Sequence, residues 1–386
     1  MTLSLETINL AKKLISFPTV SKDSNLELIY YISEYLENYN ITPTIQLNER
    51  GDKANLIATI GPNHISGLIL SGHTDVVPTE NQNWIGNPFF PWVDKGRLYG
   101  RGAADMKGFI GVVLGLIPLF YQSKMDVPLH IVLTYDEEIG CFGAHELSKL
   151  FQIHGIVKPF ACIVGEPTEM QVINAHKGIR LLRTIVKGPT GHSSRSIGED
   201  TSLTVISELI LFLKELGRSS KKTSINSADQ KFEWPYTTIN MGHLRAGTAV
   251  NIIPAESELW WEYRTIPEEN EHKVLNKFLD HCKDKNTESI FIKTEELAYV
   301  PPLSPIGNKN LTKQVLHLSG HAKSQYADFC TEAGIYQQHL KIPTILCGPG
   351  SIKQAHKENE YVEFEQLFKT ELLLTKLIKE VCYKTK

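Results

Sequence analysis

Five short motifs gather the side chains that could do chemistry, and four of them lie where an apolar run ends. Ser71-Gly72-His73-Thr74-Asp75 offers an imidazole and, two residues on, a carboxylate able to orient it. Tyr99-Gly100-Arg101-Gly102-Ala103-Ala104-Asp105-Met106-Lys107-Gly108 sets an acid just ahead of a helical pattern. There an ordinary N-cap competes with a carboxylate that bridges two cations, one oxygen to each. Thr134-Tyr135-Asp136-Glu137-Glu138-Ile139-Gly140 puts three acids in succession at the end of an apolar strand, where unpaired charge is costly. Either they form a solvated acidic turn or a cation compensates them; in the second case Glu138 binds the cation and Glu137 acts on a water. Val164-Gly165-Glu166-Pro167-Thr168 adds a further carboxylate, biased to extended backbone by Pro167. Cys347-Gly348-Pro349-Gly350-Ser351-Ile352-Lys353-Gln354-Ala355-His356 is a glycine-rich strand exit that delivers a second imidazole.

Each motif alone has an ordinary structural explanation. Together, His73, Asp105, Glu138, Glu166 and His356 make a ligand set of nitrogen and oxygen only, which suits zinc or cobalt. Two metals sharing one carboxylate need about five protein ligands if each keeps a water or hydroxide. Three acids and one hydroxide offset the charge of two divalent ions, so the expected centre is close to neutral.

The elements that must position these residues alternate. Residues 5–15 and 26–36 have helical spacing, and residues 67–72 are a short apolar run closed by glycine. Residues 129–134, 161–164 and 344–347 are similar runs, with helix candidates at 105–121 and 144–151. This alternation predicts an α/β fold, a mostly parallel twisted sheet with helices on both faces and ligands outside the carboxyl ends of its strands. Near Gly178 the pattern changes to strands at 179–187, 236–240, 249–253 and 256–264, helices at 202–216 and 271–282, and a polar loop at 217–232. We therefore expect a catalytic domain from residues 1–178 and 291–386, interrupted by an α+β insert at 179–290.

Composition bounds the partners. The chain has 386 residues, 41% hydrophobic and 22% charged, and a length that favours two domains over one. Net charge is −3 without a Lys/Arg block, so no nucleic-acid partner is expected. The most apolar run, residues 109–120, is too short to cross a bilayer, so no membrane association is expected either. The start of the chain does not read as a secretory signal. Cys141, Cys162, Cys282, Cys330, Cys347 and Cys382 are scattered without a CxxC pair, which suits free thiols in a reducing cytoplasm. A serine or cysteine nucleophile lacks support, because no Gly-x-Ser-x-Gly elbow is present.

The Tyr-Gly-Arg-Gly-Ala-Ala-Asp-Met-Lys-Gly, Asp-Glu-Glu-Ile-Gly and Gly-Glu-Pro-Thr motifs, in this order, resemble those of the M20 metallopeptidases across essentially the whole chain. The resemblance implies a zinc-exopeptidase-like catalytic domain and an inserted lid through which a homodimer forms. It implies two divalent metal ions, one on His73 and Glu166, the other on Glu138 and His356, with Asp105 as the bridge. Glu137 resembles the general base and Asp75 the acid that steadies His73. His192 in Gly-His-Ser-Ser resembles an oxyanion-stabilising histidine usually supplied by the partner subunit, and Asn251 and Arg264 resemble substrate contacts. A guanidinium fork suits an α-carboxylate, and Glu332 is a candidate for a substrate ammonium. The implied substrate is a small N-acyl amino acid. Cys330-Thr331-Glu332-Ala333 and the Gly348–His356 segment look most like members that deacetylate N2-acetylornithine in arginine biosynthesis; desuccinylase and broader aminoacylase or dipeptidase activities stand as alternatives.

Overall fold

Two units of different construction make up the chain, which the computed structural model describes over residues 3–121, 124–153, 157–195, 200–223 and 229–383. The first comprises Met1–Ala175, Leu303–Gln325 and Thr331–Lys386, and the second His176–Pro302 with Tyr326–Cys330.

The first unit is built on an eight-stranded sheet. At its centre Leu129–Thr134, Leu68–His73, Ala161–Val164 and Thr344–Leu346 run parallel, in that spatial order. Ala54–Ile60 and Thr44–Leu47 extend one side antiparallel, and Ile173–His176 pairs antiparallel with Thr344–Leu346 on the other. The sheet is thus α/β with a largely parallel centre and antiparallel flanks. Every residue of the strands Leu68–His73, Leu129–Thr134 and Ala161–Val164 is buried, as expected of strands covered on both faces.

Helix Leu5–Ile15 begins where the amide of Thr7 donates to the Ser4 hydroxyl at 3.0 Å, and it buries Leu10, Ala11, Leu14 and Ile15. Helix Lys107–Gly115 lies against it so closely that a Cβ at Gly111 would come within 2.8 Å of the Ala11 backbone. The expected 105–121 helix starts later and is interrupted at Leu116, giving Lys107–Gly115 and Ile117–Tyr121. Helices Leu26–Glu37 and Phe364–Cys382 complete the same apolar core through Leu28, Ile32, Leu374 and Ile378.

The second unit is a four-stranded antiparallel sheet in the order Thr238–Ala246, Glu256–Thr265, Gly178–Lys187, Phe291–Val300. Gly178–Lys187 alternates buried and half-buried residues, as a strand with one covered face should. Leu182, Val186, Leu259, Trp261 and Tyr263 meet Leu209, Leu213 and Phe278 of the helices Ser202–Thr223 and Lys273–Lys285 in one core. Two boundaries differ from the sequence reading. The Phe291–Val300 strand pairs with Gly178–Lys187 and so belongs to the insert, not to the outer domain. The helix expected to stop at Leu216 runs through Gly217 to Thr223, because a glycine inside a helix costs only about 1 kcal/mol and the tertiary face continues. Part of the expected 217–232 loop, residues 224–228, lies outside the described residues.

Candidate metal centre

The parallel strands bring their carboxyl ends to one edge, and the chemistry-bearing residues sit there. His73 is the last residue of its strand and lies opposite Thr134, so the acidic turn begins beside it. Glu166 follows Ala161–Val164 after a single glycine, whose place no other residue can take: a Cβ on Gly165 would lie 2.1 Å from the Phe109 ring. His356 lies in the loop after Thr344–Leu346, and Asp105 in the turn ahead of helix Lys107–Gly115.

Two ligand groups form, each with its donor atoms within 4.8 Å of one another: His73, Asp105 and Glu166, and Asp105, Glu138 and His356. Asp105 is common to both. Its Oδ1 lies 3.0 Å from His73 Nε2 and its Oδ2 3.4 Å from His356 Nε2, one oxygen to each side. His356 Nε2 also lies 3.0 Å from Glu138 Oε2. An N-cap role for Asp105 does not hold, since Met106 occupies the cap position and no side chain caps the helix.

His73 Nδ1 donates to the backbone carbonyl of Asp75 at 2.9 Å, which directs Nε2 toward Asp105. The Asp75 carboxylate stands beside the same nitrogen, its nearer oxygen 3.6 Å from Nδ1, where it pairs with the ring when the imidazole is protonated. It also accepts from the amides of Glu137 and Glu138 at 3.1 and 3.3 Å and from the Ser21 hydroxyl at 2.7 Å. Asp75 thus meets His73 through its main chain and its carboxylate, and holds the acidic turn through the same side chain.

The three successive acids diverge. Asp136, at φ 55°, pairs with Lys53 at 2.5 Å, a buried ion pair. Glu138 turns to His356, and Glu137 lies between them near Asp75. The solvated-turn alternative does not describe this segment.

The electrostatics show negative charge gathered beyond what the protein's own cations offset. Burial, with Glu138, Asp105 and Asp75 as neighbours, pushes the Glu137 carboxyl well above the usual carboxylate range. Burial and then Asp105 do the same to Glu166, and raise Glu138 to about 6. Hydrogen bonds to Asp105 and Glu138 push the His356 imidazole up to about 10. For Asp105, burial is outweighed by the hydrogen bonds from His356 and His73, which hold its carboxyl below the usual range. A divalent cation among these groups reverses the upward shifts of Glu137, Glu138 and Glu166. Glu166 Oε1 is moreover buried without a hydrogen-bond partner among the described residues, a costly state unless something positive meets it. By donor chemistry, the shared carboxylate and this orphaned oxygen, the residues fit a pair of divalent cations.

Three of the remaining predicted residues, His192, Asn251 and Arg264, belong to the insert. His192 and Asn251 are exposed at one short strand pair of the insert: Gly191–His192 pairs with Ile252–Ile253, and the Ser193 amide donates to the Asn251 carbonyl at 3.0 Å. His192 Nδ1 lies 2.8 Å from the Ser194 hydroxyl. Arg264, at the other end of the Glu256–Thr265 strand, donates through Nε to Glu262 at 3.0 Å. Glu332 requires correction as a substrate contact. It is fully buried, and its two oxygens accept from Ser71 Oγ at 2.5 Å and Thr134 Oγ1 at 2.6 Å, so it ties together the strands carrying His73 and the acidic turn.

Sequence reasoning missed Glu360 and the partner it gives Arg101. The Glu360 carboxylate accepts from Arg101 Nη1 at 2.7 Å and from the amides of Gly102, Ala104 and Asp105 at 3.1, 2.8 and 3.0 Å. The Arg101 of the Gly-Arg-Gly motif was a signal that a buried counter-ion was needed; its position in the chain was not.

A model of the family described as Peptidase family M20/M25/M40 matches residues 69–380. Acetylornithine deacetylase of Buchnera aphidicola subsp. Acyrthosiphon pisum (strain Tuc7) is 34% identical over 385 residues, 97% of this chain and 98% of the relative. The protein of the same name from Proteus mirabilis (strain HI4320) is 33% identical, over 99% of this chain and 98% of its own. Among solved structures, an M20 family metallo-carboxypeptidase from Sulfolobus solfataricus superposes with a TM-score of 0.80 at 18% identity, covering 97% of this chain and 99% of that one. A Bacillus subtilis protein described as a dinuclear metal binding peptidase from the M20 family gives a TM-score of 0.69 at 15% identity, with 97% of each chain covered.

Proposed function

The chain belongs to peptidase family M20/M25/M40, a family of hydrolases, and from that premise we propose that it removes the acetyl group from N2-acetyl-L-ornithine to give L-ornithine and acetate. What carries the metal chemistry is Asp105, whose two oxygens each meet a different imidazole within two separate ligand groups. What supports the substrate is the likeness to acetylornithine deacetylases along almost the full length of both chains.

Two divalent cations, zinc or alternatively cobalt, would be held by His73 and Glu166 on one side and Glu138 and His356 on the other, with Asp105 between. When bound, they supply Lewis acidity that polarises an acyl carbonyl and makes a water a better nucleophile. Glu137 takes a proton from the attacking water and delivers it to the amine nitrogen as the C–N bond breaks. Asp75 fixes the backbone of that base through the amides of Glu137 and Glu138. His192 donates to the oxygen on which negative charge develops. Arg264 pairs with the substrate's α-carboxylate and Asn251 contacts the substrate beside it.

We also propose that the protein is a cytoplasmic homodimer assembled through the insert. The Thr238–Ala246 strand ends the insert sheet with an exposed Leu244, an edge that pairing with a second copy would cover. Cys162, Cys282, Cys347 and Cys382 are free thiols, which suits a reducing compartment.

The test is hydrolysis of N-acetylornithine, N-succinyl-diaminopimelate and N-acetylmethionine by the purified zinc- or cobalt-loaded protein. N-acetylornithine should give the highest kcat/KM. A higher value for either rival would move the assignment to a desuccinylase or a broader aminoacylase and leave the hydrolase reading standing.

A further inference from the structure

Glu360 is where the two loops of the centre meet. It follows His356 by four residues, and its side chain and that of Arg101 are each 1% exposed. One oxygen accepts from the amides of Ala104 and of Asp105 itself, at 2.8 and 3.0 Å. The other accepts from the Gly102 amide and from Arg101. The main chain that presents Asp105 therefore hangs on this one carboxylate.

The same ion pair reaches the His356 loop. Arg101 Nη1 also donates to the Lys357 carbonyl at 3.2 Å, while Nη2 donates to Gln82 Oε1 at 2.6 Å. Gln82 in turn donates through Nε2 to the His356 carbonyl at 2.8 Å. The loop needs such anchors. His356 and Asn359 lie in the left-handed region at φ 64° and 55°, a conformation that costs a non-glycine residue about 1 kcal/mol or more unless the surroundings hold it. Asn359 is held as well, its Oδ1 accepting from the Ile85 amide at 2.9 Å.

The two ligand groups do not depend on this network equally. In the first group, His73 ends a central strand, Glu166 directly follows another, and both are buried. In the second, the His356 side chain is 50% exposed and stands on the anchored loop alone. We propose that Glu360 is a positioning residue that sets Asp105 against His356, and thereby tightens cation binding at the Asp105–Glu138–His356 group more than at the His73–Asp105–Glu166 group. The inference rests on the metal reading given above.

Calorimetric titration of the metal-stripped full chain with zinc tests it without reference to turnover. Glu360→Gln keeps an acceptor for the Ala104 and Asp105 amides but turns a donor toward Gly102 and Arg101. The wild type should take two ions. In the variant the weaker step should loosen by about tenfold or more while the tighter step changes by less than about threefold, with circular dichroism unchanged. Both steps unchanged, or both weakened alike in a folded variant, would overturn the proposal. Should Glu360→Gln fail to fold, Gln82→Ala decides, because it removes the anchor at the His356 carbonyl and one acceptor of Arg101 but leaves the Glu360 carboxylate on the Asp105 loop in place: a weaker step loosened severalfold supports the proposal, and an unaltered one overturns it. A wild-type chain that binds no zinc would instead overturn the metal reading, and this inference with it.

Discussion

The two units present their candidate functional residues in opposite ways. At the edge of the parallel sheet, His73, Asp105 and Glu166 are 1%, 6% and 4% exposed, and each has its backbone pinned by a ladder, a buried carboxylate or a close-packed glycine. In the insert, His192 and Asn251 stand on a two-residue strand pair, next to a Val250 that is wholly exposed. The first arrangement is preorganised, with donor atoms held before anything binds. The second makes few contacts of its own and can change pose at little cost. His73, Asp105 and Glu166, candidate metal ligands, are thus built into the core, whereas His192 and Asn251, proposed substrate contacts, are left at the surface.

Three substitutions can break or sharpen this contrast. His73→Ala should have the largest effect. It deletes a buried ligand, so activity should fall by more than the roughly 100-fold that loss of a ligand's hydrogen-bond partner costs, and zinc per chain, read by elemental analysis, should fall with it. Retained zinc and activity would end the claim that the buried group is the functional one. Glu137→Gln comes next: turnover should drop by about 10²- to 10⁴-fold while bound zinc stays at the wild-type amount, separating proton transfer from ligation. Near-normal turnover would remove Glu137 from the mechanism. The smallest change is expected for His192→Ala, with kcat lower by about 100-fold or somewhat less and zinc content unaltered. Because this side chain is exposed, the thermal midpoint should not move; a large drop in Tm would show that this strand pair carries structure and not only chemistry.

Much of the sheet edge was legible beforehand, and the reason is physical. Buried parallel strands are short unbroken apolar runs, so the residue following each run is marked in the sequence, and His73, Glu137, Glu138 and Glu166 all follow such runs. What could not be read were partnerships across long separations. Glu360 sits in the polar stretch Lys357-Glu358-Asn359-Glu360, where nothing local distinguishes it from its exposed neighbour Glu358. Glu332 was misread for the same reason, since its burial depends on Ser71 and Thr134, more than a hundred residues away. The Phe291–Val300 strand carries Lys293, Glu295 and Glu296 and lies beyond the last insert helix, so only its pairing with Gly178–Lys187 reveals where it belongs.

The Thr344–Leu346 strand lies between Ala161–Val164 and Ile173–His176, although it is made about 170 residues after both. As the polypeptide leaves the ribosome, the earlier strands can pair among themselves, but the flank of Ala161–Val164 has no neighbour until residue 346 has emerged. Closing that gap joins segments far apart in the chain, which slows assembly and leaves an open hydrogen-bonding edge in the meantime. The imidazole that completes the second ligand group arrives only ten residues later still, so a chain halted anywhere in the insert has neither a finished sheet nor a finished centre.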